Sequence, residues 1–137
     1  MKHAIVDTGS IVALLNARDE YHDWARDAFG EIEPPLLTCE AVIAEACFVL
    51  RGIRGGQDAV MELLERGIVR PQFSLARELT SVRKLMQRYA SVPMSVADAS
   101  LVRMSEIDTR TTVVTLDSDF RVYRRNGRQV VPLISPR

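Results

Sequence analysis

The sequence is short of the residues that build soft metal sites and covalent staples: it has two cysteines and two histidines in 137 residues. Cys39 and Cys47 fall about two turns apart on one apparent helix, on the order of 12 Å of rise, which is too far for a disulfide. They read as small buried hydrophobes. Neither His3 nor His22 has a Cys or His at metal-ligand spacing, so a zinc site or a Cys–His nucleophile has little support. Net charge is missing too. Eighteen basic residues balance eighteen acidic ones, which argues against a protein that grips nucleic acid by bulk charge. Lysine is almost absent, limited to Lys2 and Lys84. The arginines that replace it suit bidentate phosphate contacts, although a coding bias would give the same count. No apolar run approaches the roughly 20 residues of a membrane helix, and no basic leader with a cleavage site opens the chain. The expected location is cytoplasmic, with no membrane partner.

What is present is ordinary globular material, 47% hydrophobic and 26% charged. The length suits a single domain over 1–137, large enough to bury a core without staples. Ala4, Ile5 and Val6 are apolar on successive residues, as in a strand covered on both faces of a parallel sheet. Helical spacing follows over 11–16 and 21–29, the latter carrying Trp24, Ala25, Ala28 and Phe29. Pro34 and Pro35 break the chain before a short strand at 36–38. The stretch CEAVIAEACFVL, 39–50, predicts a helix apolar nearly all round and hence buried on most sides. A Gly- and Arg-rich turn leads to helices over 58–66 and 74–90, with a short strand at 68–69 between them. A further helix over 95–107 and strands at 112–116 and 130–134 complete the chain. This alternation, with acids at two strand ends, indicates an α/β domain with a mostly parallel sheet.

Several acids stand in costly places. Asp7 ends the first strand, where it serves either as the N-cap of the next helix or as a group facing the crevice at the strand ends. Asp117 ends the strand TVVTL in the same manner, with Asp119 two residues on. If the two strands are parallel neighbours, Asp7 and Asp117 share one crevice. Glu45 is the only charged residue between Ala41 and Leu50, and Glu40, roughly 140° around the helix, does not share its surface. A buried carboxylate there needs a metal or an ion pair, or must snorkel to an edge. Asp98 stands three residues after Ser95, the spacing of a capping box, which explains it structurally, yet a first-turn acid also suits a crevice at the sheet edge. Four carboxylates in one site repel one another and rise in pKa unless a cation neutralises them. An all-oxygen set without His or Cys is what Mg2+, or Mn2+, prefers, and such an ion serves hydrolysis of a phosphodiester.

The stretches IVDTGSIVALL, LTCEAVIAEACFVLR, SVADASLVRM and TVVTLDSDF, in this order and spacing, resemble the PIN-domain nucleases, and among them the VapC-type toxins of toxin–antitoxin pairs. The resemblance implies a three-layer α/β/α fold and a Mg2+-dependent endoribonuclease whose acidic metal site is Asp7, Glu45, Asp98 and Asp117, with Asp119 as an accessory acid. It also implies a homodimer, RNA as substrate and a small VapB-type antitoxin that blocks the site. Thr115 matches the polar residue that often precedes the last metal-site acid. The family's common Asp-Thr-Ser becomes Asp7-Thr8-Gly9-Ser10 here, leaving either Thr8 or Ser10 to supply the hydroxyl near the metal. Arg121, Arg124, Arg125 and Arg128 cluster after the last acids, as phosphate or antitoxin contacts or as a solvated turn tipped by Asn126-Gly127. Trp24 and Phe29 border candidate docking grooves for the antitoxin, unless they are simply core. A haloacid-dehalogenase-like phosphatase is the alternative enzyme, weakened by Gly9 where its second Asp would stand. A non-catalytic interaction module with an acidic pocket is the other alternative.

Overall fold

The computed structural model of the protein describes residues 3–136, so Lys2 lies outside the described residues. The chain opens with β1 (His3–Val6), in which Ala4, Ile5 and Val6 are all buried, as a strand covered on both faces requires. It continues through α1 (Thr8–Leu15), α2 (His22–Glu31), β2 (Leu36–Thr38), α3 (Glu40–Val49), α4 (Gly56–Glu65) and β3 (Val69–Pro71). The second half holds α5 (Leu75–Arg88), α6 (Val96–Ile107), β4 (Thr111–Val114), a 3-10 turn (Ser118–Arg121), β5 (Arg124–Arg125), β6 (Gln129–Val130) and β7 (Leu133–Ile134).

Among the described residues, five strands form one parallel sheet in the order β3-β2-β1-β4-β7. The first half of the chain winds outward from β1 through β2 to β3. The second half returns to the other side of β1 and continues through β4 to β7. Strand order therefore reverses between β1 and β4, and the crevice beyond their carboxyl ends is the expected ligand position in such a sheet. Register places Val6 opposite Val114, so the residues that follow both strands emerge side by side. Helices α1 to α4 pack on one another, while α5 packs on α6, which lies over β1 and β4. The result is the mostly parallel α/β sheet that the alternation of elements predicts, in the three-layer α/β/α arrangement that the resemblance implies.

Two expectations are corrected. Helix α3 is not buried on most sides: within it Val42 and Ala46 are buried, whereas Glu45, Phe48 and Val49 are exposed, Phe48 by 62%. Composition misleads here because α3 buries only one stripe, flanked by the half-buried Ala41, Ile43 and Cys47, and leaves Ala44, Phe48 and Val49 on the surface, where the Arg51 guanidinium covers the Phe48 ring at 3.8 Å. The strand expected over 130–134 is two. Val130 pairs with Arg124 in a small antiparallel ribbon, while Leu133 and Ile134 join the main sheet beside β4. Pro132 lies at the change of direction, and having no N–H it contributes only its carbonyl, which accepts from Val113 N at 2.9 Å.

Two glycines give opposite expectations. A Cβ on Gly56 would stand 2.5 Å from the Leu50 carbonyl oxygen, whereas one on Gly30 would meet nothing within 4 Å. Gly56→Ala is therefore expected to lower the unfolding free energy by about 1–3 kcal/mol through overpacking against backbone. Gly30→Ala, in α2, is expected to raise it by about 0.5 kcal/mol. Urea melts of the two variants check both signs.

Candidate functional site

Asp7 follows β1 and is only 6% exposed. It caps α1 by accepting Thr8 N at Oδ1, 2.6 Å, which starts the helix at residue 8 rather than at 11. The cap does not exhaust the group. Oδ2 accepts the hydroxyl of Thr115, 2.8 Å, from the segment just past β4, and that same hydroxyl oxygen accepts Asp117 N at 2.9 Å. One threonine thus ties the ends of both central strands together. Burial pushes the Asp7 carboxyl up to about 7, against the lowering effect of these hydrogen bonds, and the charges of Asp98 and Asp117 raise it further.

The two hydroxyls left open by the Asp-Thr-Gly-Ser sequence have different fates. Ser10 Oγ donates to the Val114 carbonyl at 3.2 Å and serves the sheet. Thr8 lines the crevice, and its buried hydroxyl oxygen has no hydrogen-bond partner among the described residues.

Asp98 completes the capping box its spacing predicts: Ser95 Oγ accepts Asp98 N at 3.0 Å, and Asp98 Oδ2 accepts Ser95 N at 3.4 Å. The same oxygen also accepts the hydroxyl of Tyr123 at 3.0 Å. Burial raises the Asp98 carboxyl, and the charge of Asp117 adds to that rise. Asp117 in turn caps the 3-10 turn, with Asp119 N donating to its Oδ1 at 2.9 Å. Asp7, Asp98 and Asp117 therefore sense one another electrostatically, although they come from three separate elements.

Asp7, Glu45, Asp98 and Asp117 all line one cavity of about 550 Å³. Glu45 reaches it from the exposed side of α3, so the ion pair considered for a buried glutamate is not needed. Asp119 does not line the cavity. Its backbone N–H is bound to Asp117, and its charge acts on Tyr123. Asp19, Glu20 and Tyr21, from the turn between α1 and α2, also line the cavity and had no sequence signal, because they are brought there by the packing of α1 on α2. Tyr123 was missed as well, since nothing in its local pattern separates it from core.

The donor chemistry of this cavity fits a hard divalent cation: the charged lining groups are carboxylates, and an unpaired threonine hydroxyl lies beside them. Among the described residues no three acids already converge closely enough to form a ligand set.

The arginine cluster divides. Arg125 is buried and donates to the Ser105 carbonyl at 3.4 Å, and Arg124 Nη1 donates to the carbonyls of Arg121, Val122 and Tyr123. Arg125, being buried, is withdrawn from the phosphate contacts considered above, whereas Arg124 is half-buried and Arg121 and Arg128 are exposed. Trp24 and Phe29 are half-buried and packed against the core, and the large exposed apolar side chains lie elsewhere, among them Phe48, Met61 and Leu79.

The fold is similar to that of the Mycobacterium tuberculosis toxin VapC20, whose crystal structure is described as that of a sarcin–ricin-loop-cleaving toxin. The TM-score is 0.72 at 24% identity, over 87% of this chain and 93% of that one. No curated protein matches the chain by sequence. No helix among the described residues is long and apolar enough to cross a membrane. Residues 4–126 match the PIN domain, a span that holds every acid of the cavity, and the chain belongs to the PIN-domain family.

Proposed function

We propose that the protein is a Mg2+-dependent endoribonuclease toxin of the VapC kind, hydrolysing RNA phosphodiester bonds, with Mn2+ as an alternative ion. The observation that carries this reading is the meeting of four carboxylates from separate elements in one cavity at the point where strand order reverses. When bound, a divalent ion supplies the positive charge that lets water lose a proton near neutral pH and that offsets charge building on the phosphate. Asp7, Asp98, Asp117 and Glu45 would hold it, with Thr8 as a neutral donor beside them. Asp119 is an accessory acid that keeps Asp117 in place through its backbone N–H.

The chain's own work is chiefly positioning. Thr115 holds Asp7 Oδ2 and fixes the backbone at Asp117, while Ser95 and Tyr123 hold Asp98 Oδ2. The three aspartates are thus anchored by the protein, whereas Glu45 is not. RNA as substrate draws support from the PIN-domain family and from the fold shared with a toxin named for cutting an RNA loop. The same kinship supports a small VapB-type antitoxin that neutralises the toxin, and a homodimer. The PIN-domain match leaves the phosphatase alternative without support.

The test of the whole reading is RNA cleavage by purified protein with Mg2+ and with chelator, alongside co-purification with the product of the adjacent upstream gene. Metal-independent cleavage, or none, would defeat it. Asp7→Asn and Asp117→Asn are each expected to abolish cleavage. Near-normal activity in both removes these acids from the site.

Asp7 also makes a pH prediction. Its folded pKa, about 7, lies above its ordinary value of 3.8, so between those values the folded chain binds more protons than the unfolded one. Stability of the metal-free protein is then greatest below pH 4 as far as this group decides, and it falls as pH rises through 7. Asp7→Asn is expected to remove that slope and raise metal-free stability at pH 8 by on the order of 3 kcal/mol. Denaturant melts across pH 4–8 in chelator check the direction, and Mg2+ should restore most of the lost stability to the wild type alone.

Because Glu45 is exposed, Glu45→Gln should weaken Mg2+ binding about 10-fold while leaving the unfolding free energy within about 0.5 kcal/mol. Titration calorimetry and melts on one preparation measure both. A large loss of stability would contradict the exposed placement.

A further inference from the structure

Tyr123 is completely buried, yet its hydroxyl is spent on a carboxylate that lines the cavity rather than on a backbone carbonyl. We propose that Tyr123 is a positioning residue of the nuclease site, holding Asp98 by Oδ2 so that Oδ1 is kept for the cavity; the inference rests on the nuclease reading above.

The geometry supports this in three steps. The Tyr123 hydroxyl and Ser95 N both donate to Asp98 Oδ2, and the Tyr123 hydroxyl at 3.0 Å is the stronger restraint, since Ser95 N stands 3.4 Å away. The terminal torsion of an aspartate is broad, so a capping box alone leaves the plane of the carboxyl group, and with it the direction of its second oxygen, weakly set. The Tyr123 ring, in contrast, cannot swing. Phe120 and Tyr89 each meet it edge-on with centroids 5.2 Å away, and the Tyr89 hydroxyl accepts Arg124 N at 2.9 Å. Arg124 Nη1 closes the unit by holding the carbonyls of Arg121, Val122 and Tyr123.

The segment from Phe120 to Arg125 is therefore a stiff wall behind the first turn of α6. Packing alone would be met equally well by phenylalanine at 123. The hydroxyl is the part that packing does not explain, and its acceptor among the described residues is a proposed ligand.

The experiment compares wild type, Tyr123→Phe, Asp98→Asn and the double variant in Mg2+ titration calorimetry without RNA, and in steady-state RNA cleavage. Ser105→Ala serves as the baseline for loss of a buried hydroxyl that touches no carboxylate, since Ser105 Oγ donates to the Val102 carbonyl. Tyr123→Phe is expected to weaken Mg2+ binding about 10-fold and to lower kcat with KM for RNA unchanged. Ser105→Ala should leave Mg2+ binding as in wild type. In the Asp98→Asn background the further change Tyr123→Phe should cost less than about twofold, because the residue it acts through is already gone.

A folded Tyr123→Phe that binds Mg2+ as wild type does overturns the inference, and so does an equal loss in the Asp98→Asn background. If Tyr123→Phe does not fold, Ser95→Pro decides: the Ser95 φ of -79° suits proline, and the change removes the Ser95 N–H while leaving the Tyr123 bond to Oδ2. Retained Mg2+ affinity in Ser95→Pro supports the Tyr123 anchor, and a 10-fold loss refutes it. A wild type that cleaves RNA with Mg2+ while Tyr123→Phe equals it sinks the positioning role alone, whereas a wild type that binds no Mg2+ sinks the nuclease reading with it.

Discussion

A carboxylate withdrawn from water must be given donors, and the rest of this site is arranged around meeting that need at Asp7. The Thr115 hydroxyl donates to Asp7 and accepts from Asp117 N, so the shortest path between the two central acids is a single side chain spanning a sequence separation of 108. That contact exists only because β1 and β4 lie parallel with Val6 opposite Val114. A shift of register by one residue would turn Thr115 to the other face and leave Asp7 buried with one donor instead of two.

The same economy recurs at Asp98 and Asp117. Each acid caps a helical turn with part of its carboxyl group and lines the cavity as well. The structural and the chemical explanations of these residues are therefore not rivals. A cap fixes the backbone of the turn, and fixing the turn aims the remaining oxygen. Glu45 differs in kind, because it stands exposed in mid-helix with neither cap nor anchor. It is the one acid of the four whose position depends on its own rotamers.

Much of this was legible in the chain. The strand ends at Asp7 and Asp117 could be found from short β-branched runs that stop abruptly at an acid, and the capping box at Ser95 and Asp98 from spacing alone. Their placement side by side followed once parallel pairing was assumed. Burial of α3 was misjudged because an all-apolar composition does not say how many faces the fold has room to cover. The split of the final strand hinged on Pro132, whose missing N–H is visible in sequence but whose effect depends on which sheet each flank joins. Tyr123, Asp19 and Tyr21 were invisible for a plainer reason: their roles arise from contacts between distant segments, and local pattern carries no record of such contacts.

The central position of β1 orders events during synthesis. Its partner β4 is among the last elements made, and Thr115, Asp117 and Tyr123 come later still. Segments emerge in order from the amino end, and contacts between distant residues wait for the later partner. A nascent chain that has completed α5 carries Asp7 and Glu45 but lacks Asp98, Asp117 and the threonine that joins the central strands. The cavity thus gains its last acids only once β4 has been made, and a chain that stops after α5 holds two of the four carboxylates that line it.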